Sequence, residues 1–241
     1  MTRSDLTTTA NSTGIQSTQQ VQSRFSPWLT RILYPIGRYL LLPGFFREIE
    51  VIGQEQIPQT GAVILAPTHR ARWDSFLIPY AAGPYVTGRD LRFMVSRDEM
   101  TGVQGWFVRR LGGFPIDTTK PGIGSIRHSV ELLHQGEMLT IYPEGNIFRD
   151  GTLHPLKKGL ARIAIQSVAL KPDLDLKVIP ISLNYKQPVP KFRSRVSIHI
   201  GKPLHVQNYQ HLSSKPGAEE LHQDLTRSLQ ALTQHTALID A

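Results

Sequence analysis

Two side chains five positions apart, His69 and Asp74 in the run Thr68-His69-Arg70-Ala71-Arg72-Trp73-Asp74, have the types and spacing of a general-base dyad. The apolar run Ala62 to Ala66 precedes them and reads as a buried strand, so His69 stands just beyond a strand end and Asp74 at the start of the next helix. The intervening turn can fold back until the carboxylate accepts the Nδ1 proton of His69. That would fix the tautomer and leave Nε2 free to take a proton from a hydroxyl. The same separation recurs at His235 and Asp240, which end the last helix with no strand to hold them, so spacing alone is not specific. A structural histidine beside a helix-capping aspartate has this pattern as well.

Three further segments share its strand-end context. Ile141-Tyr142-Pro143-Glu144-Gly145-Asn146 puts a carboxylate beside a glycine just after an apolar run, where backbone can approach a ligand closely. Gly112-Gly113-Phe114-Pro115-Ile116-Asp117 ends another strand in a carboxylate, and Val178-Ile179-Pro180-Ile181-Ser182 forms a third such edge. Active sites of open α/β sheets collect at strand ends. The chain holds no cysteine, which excludes a thiol nucleophile, disulfides and Cys-based metal sites, so catalysis must use oxygen and nitrogen groups. Two ligands without a third make a poor metal site, and we expect neither a metal nor another cofactor. Ser75, next to Asp74, reads as a helix N-terminal residue before any covalent role.

The elements that must position these residues alternate. Expected strands are Glu48 to Ile52, Ala62 to Ala66, Leu91 to Val95, Gly113 to Ile116, Met138 to Tyr142, Val178 to Leu183 and Val196 to Ile200. Expected helices lie near Asp74 to Ala82, Gly102 to Leu111, Gly122 to His134, Lys157 to Leu170 and Ala218 to His235. This is an α/β pattern: a single domain, residues 47–241, with a mixed, mostly parallel central sheet flanked by helices. A length of 241 residues with 40% hydrophobic composition suffices for one substantial core. The stripe Leu221, Leu225, Leu229 and Leu232 marks the last helix as a packing element.

The first 24 residues are rich in Ser, Thr and Gln and read as a disordered polar tail without a signal-peptide core. Residues 25–46 differ abruptly. Ser26 can cap a helix with Pro27 in its first turn, and Trp28, Leu29, Ile32, Leu33, Ile36 and Leu40 recur at helical spacing. Arg31 and Arg38 fall on another face, the pattern of a helix lying in a membrane interface; packing against the core is the alternative. Pro35 implies a kink or break, and the uncharged runs are too short to span a bilayer. The net charge of +8, shared evenly between the two halves, suits nucleic acid, an anionic membrane surface or phosphorylated small molecules. The densest basic patch, Lys186, Lys191, Arg193 and Arg195, carries no recognisable nucleic-acid signature, and no nucleic-acid partner is expected. That patch looks like an anionic-surface or carrier-protein docking site, or plain solvated charge.

Over roughly residues 45–205 the chain resembles the glycerolipid acyltransferases, whose best-known members convert lysophosphatidic acid to phosphatidic acid. Four motifs in order carry the likeness. THRARWDS matches the family's N-H-x-x-x-x-D block, with His69 and Asp74 in the catalytic places and Thr68 where Asn is usual. GGFPIDT keeps Asp117 but has Thr118 in an Arg position, and YPEGNI keeps Pro143, Glu144 and Gly145 while Asn146 and Ile147 replace Thr and Arg. VIPIS supplies the fourth block at Pro180, and Lys157-Lys158-Gly159 resembles a K-x-G stretch of the family.

The resemblance implies that His69 deprotonates an acceptor hydroxyl, which attacks the thioester of acyl-CoA or acyl carrier protein while Asp74 orients the base. It implies a lysophospholipid acceptor and work at the cytoplasmic face of a membrane, with peripheral or monotopic attachment. Glu144, with Gly145 and Asn146, would fix the acceptor hydroxyl or the loop that holds it, a structural ion pair being the alternative for Glu144; Asp117 is either part of the site or a strand end. The two missing Arg residues remove bidentate phosphate contacts, for which Lys120, Arg149, Lys157 and Lys158 are candidate substitutes or surface charges. An acceptor without a terminal phosphate, or a non-catalytic basic lipid- or nucleic-acid-binding module, are the rival readings.

Overall fold

The computed structural model describes residues 24–117 and 122–239. The polar tail up to residue 23, Thr118, Lys120 and Asp240 therefore lie outside the described residues, and so does the side chain of His235. In chain order the elements are α1 (Pro27–Ile36), a π-helical turn (Gly37–Leu41), α2 (Leu42–Phe45), β1 (Glu48–Ile52), β2 (Ala62–Pro67), α3 (Asp74–Ala82), α4 (Pro84–Thr87), β3 (Leu91–Ser96), α5 (Gly102–Arg110), β4 (Gly113–Ile116), α6 (Ile123–His134), β5 (Met138–Thr140), α7 (Gly159–Leu170), β6 (Leu176–Tyr185), β7 (Arg195–Ile200), β8 (Leu204–His205) and α8 (Ser214–Ile239).

Strand order is β1-β7-β6-β2-β5-β3-β4, with β8 pairing β6 off this path. β6, β2, β5, β3 and β4 run parallel, whereas β7 and β8 are antiparallel to β6 and β1 follows β7. The sheet is thus mixed and mostly parallel, as the alternation of short apolar runs and helices led us to expect. Every residue of β2 is buried because helices cover both faces. Its alternate side chains enter two separate cores. Ala62, Ile64 and Ala66 pack toward α6, α7 and α8, while Val63 and Leu65 pack with Leu77, Ile78 and Ile181 beneath α2 and α3.

Pro35 does not break the N-terminal helix. With no N–H to donate there, the chain widens into a π turn directly afterwards, and the Gly37 amide donates to both Leu33 and Tyr34 carbonyls before α2 resumes. Leu29 is buried, but Trp28, Ile32, Ile36, Tyr39 and Leu40 remain exposed, Leu40 to 69%. Arg38 does not join the exposed face: Nη1 donates to the Tyr80 carbonyl at 2.8 Å and its guanidinium covers the Tyr80 ring at 4.4 Å, tying the helix to α3.

Candidate active site

The dyad forms at the carboxyl end of β2. Thr68 extends that strand's pairing with β6, its amide donating to the Ile181 carbonyl and its Oγ1 accepting from the Leu183 amide, each at 2.9 Å. His69 then leaves the sheet, and the next turn curls around Asp74 at the start of α3. Asp74 Oδ2 accepts from His69 Nδ1 at 2.8 Å and from the amides of Arg70 and Ala71 at 2.6 and 2.9 Å. The other oxygen, Oδ1, accepts from the Tyr185 hydroxyl at 2.5 Å. A fully buried carboxylate is tolerable because four donors replace its water. Nε2 of His69 makes no hydrogen bond to a described residue, and the side chain keeps 18% of its exposure, so the basic nitrogen is the free end of the dyad.

Aromatic rings hold the imidazole in place. Tyr142 stacks on His69 with centroids 4.1 Å apart. Burial, and after it the charge of Asp74, pushes the phenols of both Tyr142 and Tyr185 well above their ordinary range, so both stay protonated and Tyr185 stays a donor. On the outer side Trp73, just before Asp74, stacks on Phe45 at 4.1 Å and meets Phe46 edge-on at 5.4 Å.

Glu144 sits beneath this turn, its side chain wholly buried. Oε2 accepts from the His69 amide and Oε1 from the His154 amide, at 2.9 and 3.0 Å, while Arg70 Nη1 reaches both oxygens at 3.0 and 2.9 Å. Both carboxylate oxygens thus accept from the chain itself, and Glu144 ties the dyad turn to its own loop. The Phe148 amide, donating to the His69 carbonyl at 2.9 Å, pins the same loop to the dyad turn, and the Lys157 amide closes the loop on itself by donating to the Pro143 carbonyl at 2.8 Å.

The other candidates separate in space. Gly145 has φ +71°, the left-handed region, and a β-carbon there would lie 2.5 Å from Lys157 Cε, so the lysine side chain runs across the glycine beside the dyad turn. Lys158 is drawn away: its Nζ pairs with Glu219 on α8 at 2.7 Å. Asn146 and Arg149 are exposed, and Asn146 Oδ1 accepts from the Ile147 amide. Asp117 follows β4, three strands along the sheet from β2, which sets it about 14 Å away at ~4.8 Å per strand. Pro180 lines a cavity of about 420 Å³ beneath α8 with Ile52, His199 and Leu232, a space that shares no residue with the dyad.

Arg70, Tyr142 and Tyr185 were not singled out in the sequence. Arg70 and Tyr142 adjoin residues that were, and a buried position for either was the missing clue. Tyr185 lies two residues beyond the expected end of its strand, and no local signal marks it.

The family model described as Acyltransferase matches residues 48–184, which contain the dyad, Glu144 and Tyr142. The chain belongs to the acyltransferase family. Over 187 residues this acyltransferase is 25% identical to a 1-acyl-sn-glycerol-3-phosphate acyltransferase of Bacillus subtilis, covering 76% of this chain and 87% of that one. A protein of the same name from Streptococcus pneumoniae is 24% identical over 187 residues, with 65% of its own length covered. Among solved structures, the 1-acyl-sn-glycerophosphate (LPA) acyltransferase PlsC of Thermotoga maritima superposes with a TM-score of 0.65 at 19% identity, covering 87% of this acyltransferase and 80% of that chain, which establishes a shared fold.

Proposed function

We propose that this acyltransferase moves a fatty acyl group from an acyl-CoA or acyl carrier protein thioester to the free hydroxyl of lysophosphatidic acid, giving phosphatidic acid. The observation that carries the reading is the His69 imidazole held by Asp74 at Nδ1 with Nε2 open. His69 takes the hydroxyl proton as the acceptor oxygen bonds to the thioester carbon, and the imidazolium returns it to the sulfur as the C–S bond breaks. Asp74 stabilises the imidazolium between these events. Positioned general-base help supplies about 10²- to 10⁴-fold. No covalent protein intermediate is needed.

The two relatives named for 1-acyl-sn-glycerol-3-phosphate support this acceptor. Lys157, exposed over Gly145 beside the dyad turn, is the residue we assign to the acceptor phosphate in place of the family's missing arginines. Attachment to the membrane is peripheral in this reading. No helix among the described residues is long and apolar enough to cross a bilayer, and the exposed Trp28, Ile32, Ile36 and Leu40 form an apolar stripe suited to its interface.

The test is turnover of labelled acyl-CoA and acyl carrier protein thioesters with lysophosphatidic acid and with monoacylglycerol. His69→Ala should stay folded and lose at least about 10²-fold in kcat. Lys157→Ala should raise KM for lysophosphatidic acid and leave monoacylglycerol turnover unaltered. A folded His69→Ala enzyme at near-normal rate would refute the mechanism.

A further inference from the structure

The basic segment between β6 and β7, residues 186–194, forms a projecting lip next to the dyad. Lys186, Lys191 and Arg193 are exposed and make no ion pair among the described residues, and the segment contains no acidic residue. Between these charges stand two exposed apolar side chains, Val189 at 57% and Phe192 at 69%. A segment of bare charge is ordinary surface; cations alternating with solvent-facing apolar groups match a bilayer's anionic headgroups and acyl boundary.

The lip is fastened to the N-terminal helical segment. The Arg193 amide donates to the Phe45 carbonyl at 2.6 Å and the Arg47 amide to the Ser194 carbonyl at 3.0 Å. Arg193 adopts φ +63°, a left-handed conformation uncommon for a residue with a side chain, and this turn sets Phe192 edge-on to Phe45 at 6.3 Å. Phe45 stacks on Trp73, which immediately precedes Asp74. The rings of Phe192, Phe45 and Trp73 thus form a continuous apolar path from the lip to the catalytic turn.

We propose that residues 186–194 are a second lipid-contacting element, which binds an anionic bilayer through Lys186, Lys191 and Arg193 and inserts Val189 and Phe192, so that a lipid acceptor passes along the aromatic path to His69. This rests on the peripheral membrane reading above and adds a site in the second half of the chain. A docked acidic carrier protein would use the same cations but leave Val189 and Phe192 without an apolar layer to enter.

Co-sedimentation of the full chain with phosphatidylcholine vesicles, with and without phosphatidylglycerol, tests it. Lys186→Gln with Lys191→Gln should weaken partitioning to phosphatidylglycerol vesicles by about 25-fold, near fivefold per lysine, and leave phosphatidylcholine vesicles unaffected. Val189→Ser with Phe192→Ser should weaken both. Vesicle-free turnover of a short-chain, water-soluble lysophosphatidic acid by the Lys186→Gln/Lys191→Gln protein should stay within about twofold of wild type. Unchanged partitioning of both variants while the wild type sediments would overturn the lip alone. A raised donor KM in the vesicle-free assay, with partitioning intact, would overturn it in favour of a carrier-docking site. Failure of the wild type to sediment would overturn the membrane reading and the lip with it.

Discussion

Removing the Glu144 carboxylate should unfasten the His69–Asp74 turn before it affects any substrate. Arg70 is 4% exposed, and its Nε and Nη2 have no hydrogen-bond partner among the described residues, so Glu144 is the counter-charge this guanidinium depends on. Breaking a buried ion pair by deleting one member costs about 3–5 kcal/mol, because the surviving charge stays buried. The His69 and His154 amides lose their acceptor too, at about 1 kcal/mol or more each where water does not replace it. With water entering part of the vacated space, about 5 kcal/mol is expected for Glu144→Ala, which in a chain of this size lowers Tm by about 10–20 °C. Arg70→Ala leaves Glu144 with its two amide donors and should cost less. The Arg70→Ala/Glu144→Ala double variant should be destabilised by about 2–3 kcal/mol less than the sum of the singles, since neither charge remains to be stranded. Differential scanning calorimetry of the four proteins, with kcat and KM at a temperature where all are folded, measures this. A Glu144→Ala protein with wild-type Tm and only a raised KM for the acceptor would show that the carboxylate serves the substrate instead.

Tyr185→Phe deletes the donor on Asp74 Oδ1 and should lower kcat about tenfold, from roughly 1.5 kcal/mol for a hydrogen bond to a charged group, with both KM values unchanged; steady-state kinetics on the variant decide this, and an unaltered kcat would remove Tyr185 from the site. The exposed pair of His154 Nε2 and Asp150 Oδ2, 2.6 Å apart, makes a pH prediction: the His154 hydrogen bond, with help from the Thr152 amide, holds the Asp150 carboxyl down at about 2. Because the folded value is depressed, the stabilisation is complete above the ordinary carboxylate pKa near 3.9 and is lost as pH falls through about 2. Carboxyl NMR titration should show Asp150 rising toward its ordinary value in His154→Ala.

The pattern of short apolar runs and amphipathic stretches was enough to locate β1, α3 and β4 at their observed limits, because side-chain periodicity and turn residues act over a few neighbours. It erred where tertiary contacts decide length. β5 stops at Thr140, while β6 extends to Tyr185 because antiparallel β7 pairs with it that far, beyond the end of its pairing with β2 at Ile181. Lys157 and Lys158, adjacent in sequence and equivalent on composition, part company: Lys158 pairs with Glu219 on α8, while the Lys157 side chain runs over Gly145.

The pairing of His69 with Asp74 was legible in the chain alone, because the four residues between them, following a buried strand, make a turn short enough for the carboxylate to reach back to Nδ1. The surroundings of the dyad were decided by strand order. β2 lies between β5 and β6, so Tyr142 and Glu144 arrive from one side and Tyr185 from the other. These contacts join positions 74 and 111 residues apart, distances over which periodicity carries no information and only the packed sheet selects partners. The same order sets Asp117 after β4, three strands along the sheet from β2, a separation its place in a motif does not reveal.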